Sequence, residues 1–159
     1  MSRTRRSTHF SGEILNKIQI KLPALSVNEG MARAAVAAFV SQLDPGVTEI
    51  ADIKCAVSEA VTNAIVHGYR DFPETGSITI TVSILEGRAV KIEIKDKGCG
   101  IPDVGQARQP LYTTDAAGER SGMGFTVMES FTDALKVASK VGKGTTVTMC
   151  KKLSERGRI

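Results

Sequence analysis

Ile50-Ala-Asp-Ile-Lys-Cys-Ala-Val-Ser-Glu-Ala-Val-Thr-Asn-Ala-Ile-Val-His67 is the stretch on which the fold turns. Ile50, Ile53, Val57, Ala60, Val61, Ala64 and Ile65 recur at three- and four-residue spacing. That spacing predicts one helix from about Thr48 to His67 with a single apolar stripe, stopped by Gly68. Glu59 and Asn63 stand one turn apart, so a carboxylate and an amide share a helix face. An apolar stripe must be buried against a second layer, and the sequence on either side supplies it.

Upstream, Lys17-Ile-Gln-Ile-Lys-Leu22 alternates polar and apolar residues as a half-buried strand does, and Pro23 ends it. Ser26-Val-Asn-Glu29 has the form of a capping box, with Ser26 as N-cap, and predicts a helix to about Leu43. Asp44-Pro-Gly46 breaks that helix. Downstream, Ile78, Ile80, Val82 and Ile84 alternate, then Val90, Ile92 and Ile94, with Glu86-Gly-Arg88 between them as a hairpin turn. Residues 101–121 carry Pro102, Gly105, Pro110 and Gly118 and read as an irregular lid. A helix from about Met123 to Phe131 and strands near Ala134–Ser139 and Thr145–Lys151 follow. The order predicts an α/β two-layer sandwich, its mixed, largely antiparallel sheet covered by helices on one face. Residues 1–16 read as a mobile extension, 17–152 as one domain and 153–159 as a basic tail.

The 159 residues suffice for one core without staples. No apolar run approaches the roughly 20 residues that span a bilayer, and the basic start is not followed by the apolar segment of a signal peptide. The expectation is a cytoplasmic protein that does not enter a membrane. Net charge is +4. Arg3, Arg5 and Arg6 supply +3, and residues 151–159 another +3, which leaves −2 for residues 7–150. The body is therefore not basic, which argues against direct DNA binding. Cys55, Cys99 and Cys150 are widely spaced, and His9 and His67 are the only histidines, so a structural zinc site is not expected.

Three segments describe a site for a nucleoside triphosphate and its metal. In Glu59-Ala-Val-Thr-Asn63, the amide oxygen of Asn63 suits Mg²⁺, and Glu59 can take a proton from a hydroxyl or water. Asp96-Lys-Gly-Cys-Gly100 ends a strand with an acid able to accept from an exocyclic amine, and Gly98 and Gly100 allow close approach to the backbone. Ser121-Gly-Met-Gly124 opens a helix whose N–H groups suit phosphate. His67 and Arg120 could reach a phosphate, and Thr113 and Thr114 are lid hydroxyls. Thr145, in Gly144-Thr-Thr146, could stand beside Asp96. Each motif alone also has an ordinary structural reading, as a solvated helix face, a turn, a surface arginine or a strand threonine.

Taken in order, these segments resemble the GHKL (Bergerat-fold) ATPases. A Gly-x-x-x-x-Gly-Lys-Ser/Thr loop is absent, so ATP would be held by another device. Asn28-Glu29 with Ala32-Arg33, Val57 to Tyr69, Ala107-Arg-Gln-Pro-Leu-Tyr-Thr-Thr114 and Glu119-Arg-Ser-Gly-Met-Gly-Phe-Thr126 narrow the likeness. They are similar to the sporulation anti-sigma family of serine kinases, over about residues 17–152. The resemblance implies a homodimer that binds sigma factor F, keeps it from RNA polymerase, and uses ATP to phosphorylate an anti-anti-sigma factor. It implies Glu59 as general base, Asn63 as Mg²⁺ ligand and Asp96 as the adenine-reading acid. It places Arg120, Gly122 and Gly124 at the phosphates and Arg33 and Thr62 at the partner surface. The alternative is a related kinase serving a general-stress sigma factor. Tyr112 stands where the family pattern has Phe, and Cys99 falls at a variable position.

Overall fold

The computed structural model describes residues 12–69, 76–109 and 124–155. Strand β1, Ile14–Pro23, begins ahead of the alternation that marks it; Ile18, Ile20 and Leu22 turn inward between exposed neighbours. β2, Ser77–Leu85, and β3, Ala89–Asp96, form the expected hairpin. Its turn places Gly87 at φ 78° and Arg88 at φ 59°, the left-handed geometry that matches strand twist. The Arg88 side chain donates to Leu43 O at 2.7 Å and to Ser154 O at 2.8 Å, fastening the turn to two other chain segments.

β4, Ala134–Lys140, and β5, Gly144–Lys152, complete a five-stranded sheet in the order β1-β2-β3-β5-β4. Every pairing among the described strands is antiparallel. The mixed, largely antiparallel sheet expected from the pattern is thus antiparallel throughout, because each of β2–β3 and β4–β5 is a hairpin. β5 then inserts beside β3 and runs antiparallel to it.

Helix α1, Glu29–Val40, buries Ala32, Val36 and Val40 at four-residue spacing. α2, Val47–Asn63, buries Ile53, Ala56, Val57, Ala60 and Val61. A short turn α3, Val104–Ala107, lies inside the segment read as irregular, with the Asp103 carboxylate accepting from Gln106 N at 3.0 Å. α4, Gly124–Phe131, buries Phe125 and Met128. These faces meet Ile78, Ile80, Val82, Val90, Ile92, Ile94, Val147 and Met149 of the sheet in one core. Removing such a side chain to alanine costs about 2–5 kcal/mol for the larger aliphatics.

Two local expectations are corrected. Ser26 does not cap α1. Residues Ser26–Asn28 form a 3₁₀ turn, and Glu29 instead accepts the Ser58 hydroxyl of α2 and lies 3.6 Å from Arg33. Glu49 does what Glu29 was expected to do: its carboxylate accepts Gly46 N–H at 3.0 Å, at the start of α2. The long helix also changes winding. It is α-helical to Asn63, then widens into a π turn over Ala64–Gly68.

Candidate functional site

Glu59 and Asn63 project from the last turns of α2 toward the first residue of α4. A Cβ on Gly124 would lie 3.2 Å from Glu59 Oε2 and 3.2 Å from both polar atoms of the Asn63 amide. Glycine therefore lets the N-terminus of α4 come against the carboxylate and the amide together. That brings into one place an acid, an amide oxygen and the first described turn of α4.

Asp96 occupies the other side. Val90, Ile92 and Ile94 point into the core from β3, and Asp96 continues their column, leaving the residue only 6% exposed. Burial pushes its pKa above the ordinary carboxylate value, while N–H groups of Gly98 and Thr145 favour the charged form and only partly offset this. Gly98 N donates to Asp96 Oδ1 at 2.9 Å. A carboxylate buried with acceptor capacity to spare fits a ligand that brings its own N–H donors.

The π turn closes the wall between these two groups. Gly68 presses its Cα against the Asp96 carboxyl, where a Cβ would lie 3.1 Å from Cγ and Oδ1. Gly68 O accepts Cys99 N–H at 2.7 Å, and His67 O accepts the Cys99 thiol at 3.1 Å. A π turn is a common local winding at functional sites. Here it carries His67 and Gly68 to the glycine loop after β3. A Cβ on Gly98 would overlap the Gly68 carbonyl, and one on Gly144, at φ 117°, would overlap the end of β3. Both glycines are required by backbone packed on backbone, a different reason from the open approach expected at Gly98.

Thr145 stands directly across from Asp96 in the β3–β5 register. Thr62 donates to Ser58 O at 2.7 Å, one turn along α2 from the Ser58–Glu29 contact, so Thr62 and Arg33 belong to the α1–α2 side of the molecule. Thr113, Thr114, Arg120 and Gly122 lie outside the described residues. The structure thus brings together Glu59, Asn63 and Gly124, and separately His67, Asp96, Gly98 and Thr145. Gly100, at φ 76°, turns the chain away toward α3.

Tyr69 was missed as a site-shaping residue. Its hydroxyl donates to Ser77 O at 2.6 Å and accepts Lys97 N–H at 2.8 Å, clamping the chain after the π turn to β2 and β3. Ser139 was missed too, although Leu135 and Val137 precede it in the inward column of β4. It is a polar residue at the end of an apolar column, as Asp96 is, but a lone serine there carries too little signal to mark a site.

Among the described residues no cluster of three or more His, Cys, Asp or Glu side chains could hold a metal. Mg²⁺ needs no such cluster when phosphates and waters fill its shell, and the Asn63 amide oxygen beside α4 is a donor of the kind that set uses. Among the described residues no helix is long and apolar enough to cross a membrane.

Residues 22–151 match the family model of the histidine kinase-like ATPase domain. The chain is 53% identical over 140 residues to the anti-sigma F factor of Anoxybacillus flavithermus, covering 88% of this chain and 94% of that protein. It is 52% identical to the anti-sigma F factor of Geobacillus stearothermophilus, with 89% and 95% covered. Among solved structures, the RsbU and RsbW domains of Rv1364c from Mycobacterium tuberculosis superpose with a TM-score of 0.66 at 22% identity, over 91% of this chain and 34% of that one. Fold and site together define a histidine kinase-like ATPase domain, and within that class the chain belongs to the anti-sigma F factor family.

Proposed function

We propose that this protein is an ATP-dependent serine kinase of an anti-anti-sigma factor, and that it also binds sigma factor F and withholds it from RNA polymerase. The observation that carries the reading is the meeting of Glu59, Asn63 and the first residue of α4, across the π turn from buried Asp96. A general base, a metal-ligating amide, a phosphate-facing helix start and an amine-accepting acid are the parts that phosphoryl transfer from ATP requires. Relatives sharing about half of all residues carry the name anti-sigma F factor, which favours sigma F over a general-stress sigma factor.

In this reading the Asp96 carboxylate accepts the exocyclic amine of adenine, with Thr145 beside it and Gly98 and Gly100 shaping the loop. Asn63 holds Mg²⁺, which would screen the phosphate charges when bound. Arg120, His67, Gly122 and Gly124 face the phosphates, and Thr113 and Thr114 belong to the closing lid. Glu59 takes the proton of the substrate serine as its oxygen bonds to the γ-phosphorus and the bond to the β,γ-bridging oxygen breaks, releasing ADP. Arg33, steered by Glu29 and Ser58, presents the partner surface with Thr62. The working unit is a cytoplasmic homodimer, and its ATP-binding domain extends past the expected 17–152 at both ends, since residues 14–16 belong to β1 and Leu153 is buried in the core.

The test is transfer of label from γ-labelled ATP to the anti-anti-sigma partner. Stoichiometric labelling of one serine supports the reading. Absence of transfer by protein that binds both ATP and the partner overturns the kinase assignment.

A further inference from the structure

Asp96, Thr145 and Ser139 form one row across three strands: Asp96 of β3 faces Thr145 of β5, and Thr145 faces Ser139 of β4. Residues directly opposite in an antiparallel sheet point to the same side, so the row runs from the buried carboxyl toward the β4 edge. The Ser139 hydroxyl has three polar neighbours. It accepts Ile101 N–H at 2.7 Å, lies 3.1 Å from Gly144 O and lies 2.8 Å from Thr145 Oγ1.

A serine hydroxyl offers one proton and two lone pairs. The arrangement that satisfies every neighbour has Ser139 donate to Gly144 O and accept from both Ile101 N–H and the Thr145 hydroxyl. The Thr145 proton is then committed to Ser139. What Thr145 can show the pocket is lone pairs, beside a carboxylate that also accepts. A base edge that brings an amine finds two acceptors in this pair; one that brings a carbonyl oxygen finds no donor in the pair.

We infer that Ser139 is a positioning residue for base selection, which fixes Thr145 as an acceptor and so favours a 6-amino purine over a 6-oxo purine. The inference rests on the ATP reading above and adds to it the residue that sets the choice. Ser139 also ties Ile101, next to Gly100, to the same row, so the root of the lid segment and the base pocket share one hydroxyl.

The experiment compares Ser139→Thr with Ser139→Val in the full chain. The two replacements have nearly the same shape, suit a strand and differ in the hydroxyl. Calorimetric affinities for ATP and inosine triphosphate are measured for both variants and the parent, alongside thermal melts. The parent and Ser139→Thr should prefer ATP, and in Ser139→Val the ATP-to-inosine-triphosphate ratio should fall about tenfold, the scale of one hydrogen bond. An unchanged ratio in Ser139→Val overturns the inference. So does an equal loss for both nucleotides, which would mark Ser139 as merely structural. A parent that takes up neither nucleotide sinks the ATP reading itself, and this inference with it.

Discussion

Gly68 and Gly98 meet backbone to backbone: the carbonyl oxygen of the first fills the space where a side chain on the second would begin. The contact holds the π turn against the loop after β3, and the adjacent Cys99 N–H completes it. Gly98→Ala must therefore move one segment off the other, at a cost of about 1–3 kcal/mol for an overpacked site. Gly87→Ala is the control. Gly87 has open space around its Cα and only a left-handed φ of 78° to object, worth about 1 kcal/mol. Urea unfolding should show the larger loss for Gly98→Ala, and nucleotide affinity should fall in that variant alone. Equal stability losses with affinity retained in both would show that the contact does not shape the pocket.

Asp96 should make the unliganded protein less stable as pH rises. Its carboxyl titrates above the ordinary value in the fold, so the native state keeps a proton that the unfolded chain releases near pH 4. Stability is full below that pH and is lost up to the raised folded value. Asp96→Asn lacks this dependence. Its stability relative to the parent should improve as pH rises from about 4 toward the raised folded value, while its ATP affinity falls about 10- to 100-fold through loss of a charged acceptor. A stability difference that stays flat across that range would contradict the burial argument.

Glu49 should act with the opposite sign. Burial opposes its ionisation, but N–H groups of Ser154 and Gly46 and the Ser154 hydroxyl outweigh this and hold its carboxyl below the ordinary value. Its contribution is present above the unfolded value near pH 4.3 and disappears as pH falls through the lower folded one. In acid titration Glu49→Gln should lose stability less steeply than the parent. A parallel pair of curves would mean the carboxylate does not bind the chain after β5 to the start of α2.

Glu59 and Asn63 should separate chemistry from binding. Glu59→Gln keeps shape and hydrogen-bonding capacity but not basicity, so phosphotransfer should drop about 10²- to 10⁴-fold with ATP affinity within a few-fold of the parent. Asn63→Ala should lose the magnesium-dependent part of ATP affinity. Single-turnover labelling and calorimetry with and without magnesium measure the two. Parent-like turnover by Glu59→Gln would remove the base from that position.

Much of this architecture could be read in advance, and the reason is periodicity. Ile53, Val57, Ala60 and Val61 announce a helix face, and Ile92 and Ile94 a strand face, because α2 and β3 are amphipathic and bury one side. Asp96 was legible because it interrupts its own apolar column. Ser139 interrupts its column in the same way, but an isolated serine in a strand is too common to single out. What periodicity could not supply was competition between partners. Glu29 has the right spacing to cap its own helix, yet it reaches Ser58 on α2, a choice made by tertiary contact. The α3 turn escaped notice because four residues carry too little pattern. The widening after Asn63 left no mark in the sequence, since Ala64, Ile65 and Val66 suit either winding.

That widening fixes how the two halves of the site are phased. Residues Val47–Asn63 set where the acid and the amide point; the five residues Ala64–Gly68 rotate the following chain by an amount an ordinary turn would not give. Wound as regular α-helix, at about 100° per residue instead of roughly 80°, the same five residues would swing Gly68 about 90° round the axis and away from Asp96, while Glu59 and Asn63 stayed in place. The protein would keep its helix and lose the alignment between its two ends. The wider winding of these five residues brings two independently built half-sites into register.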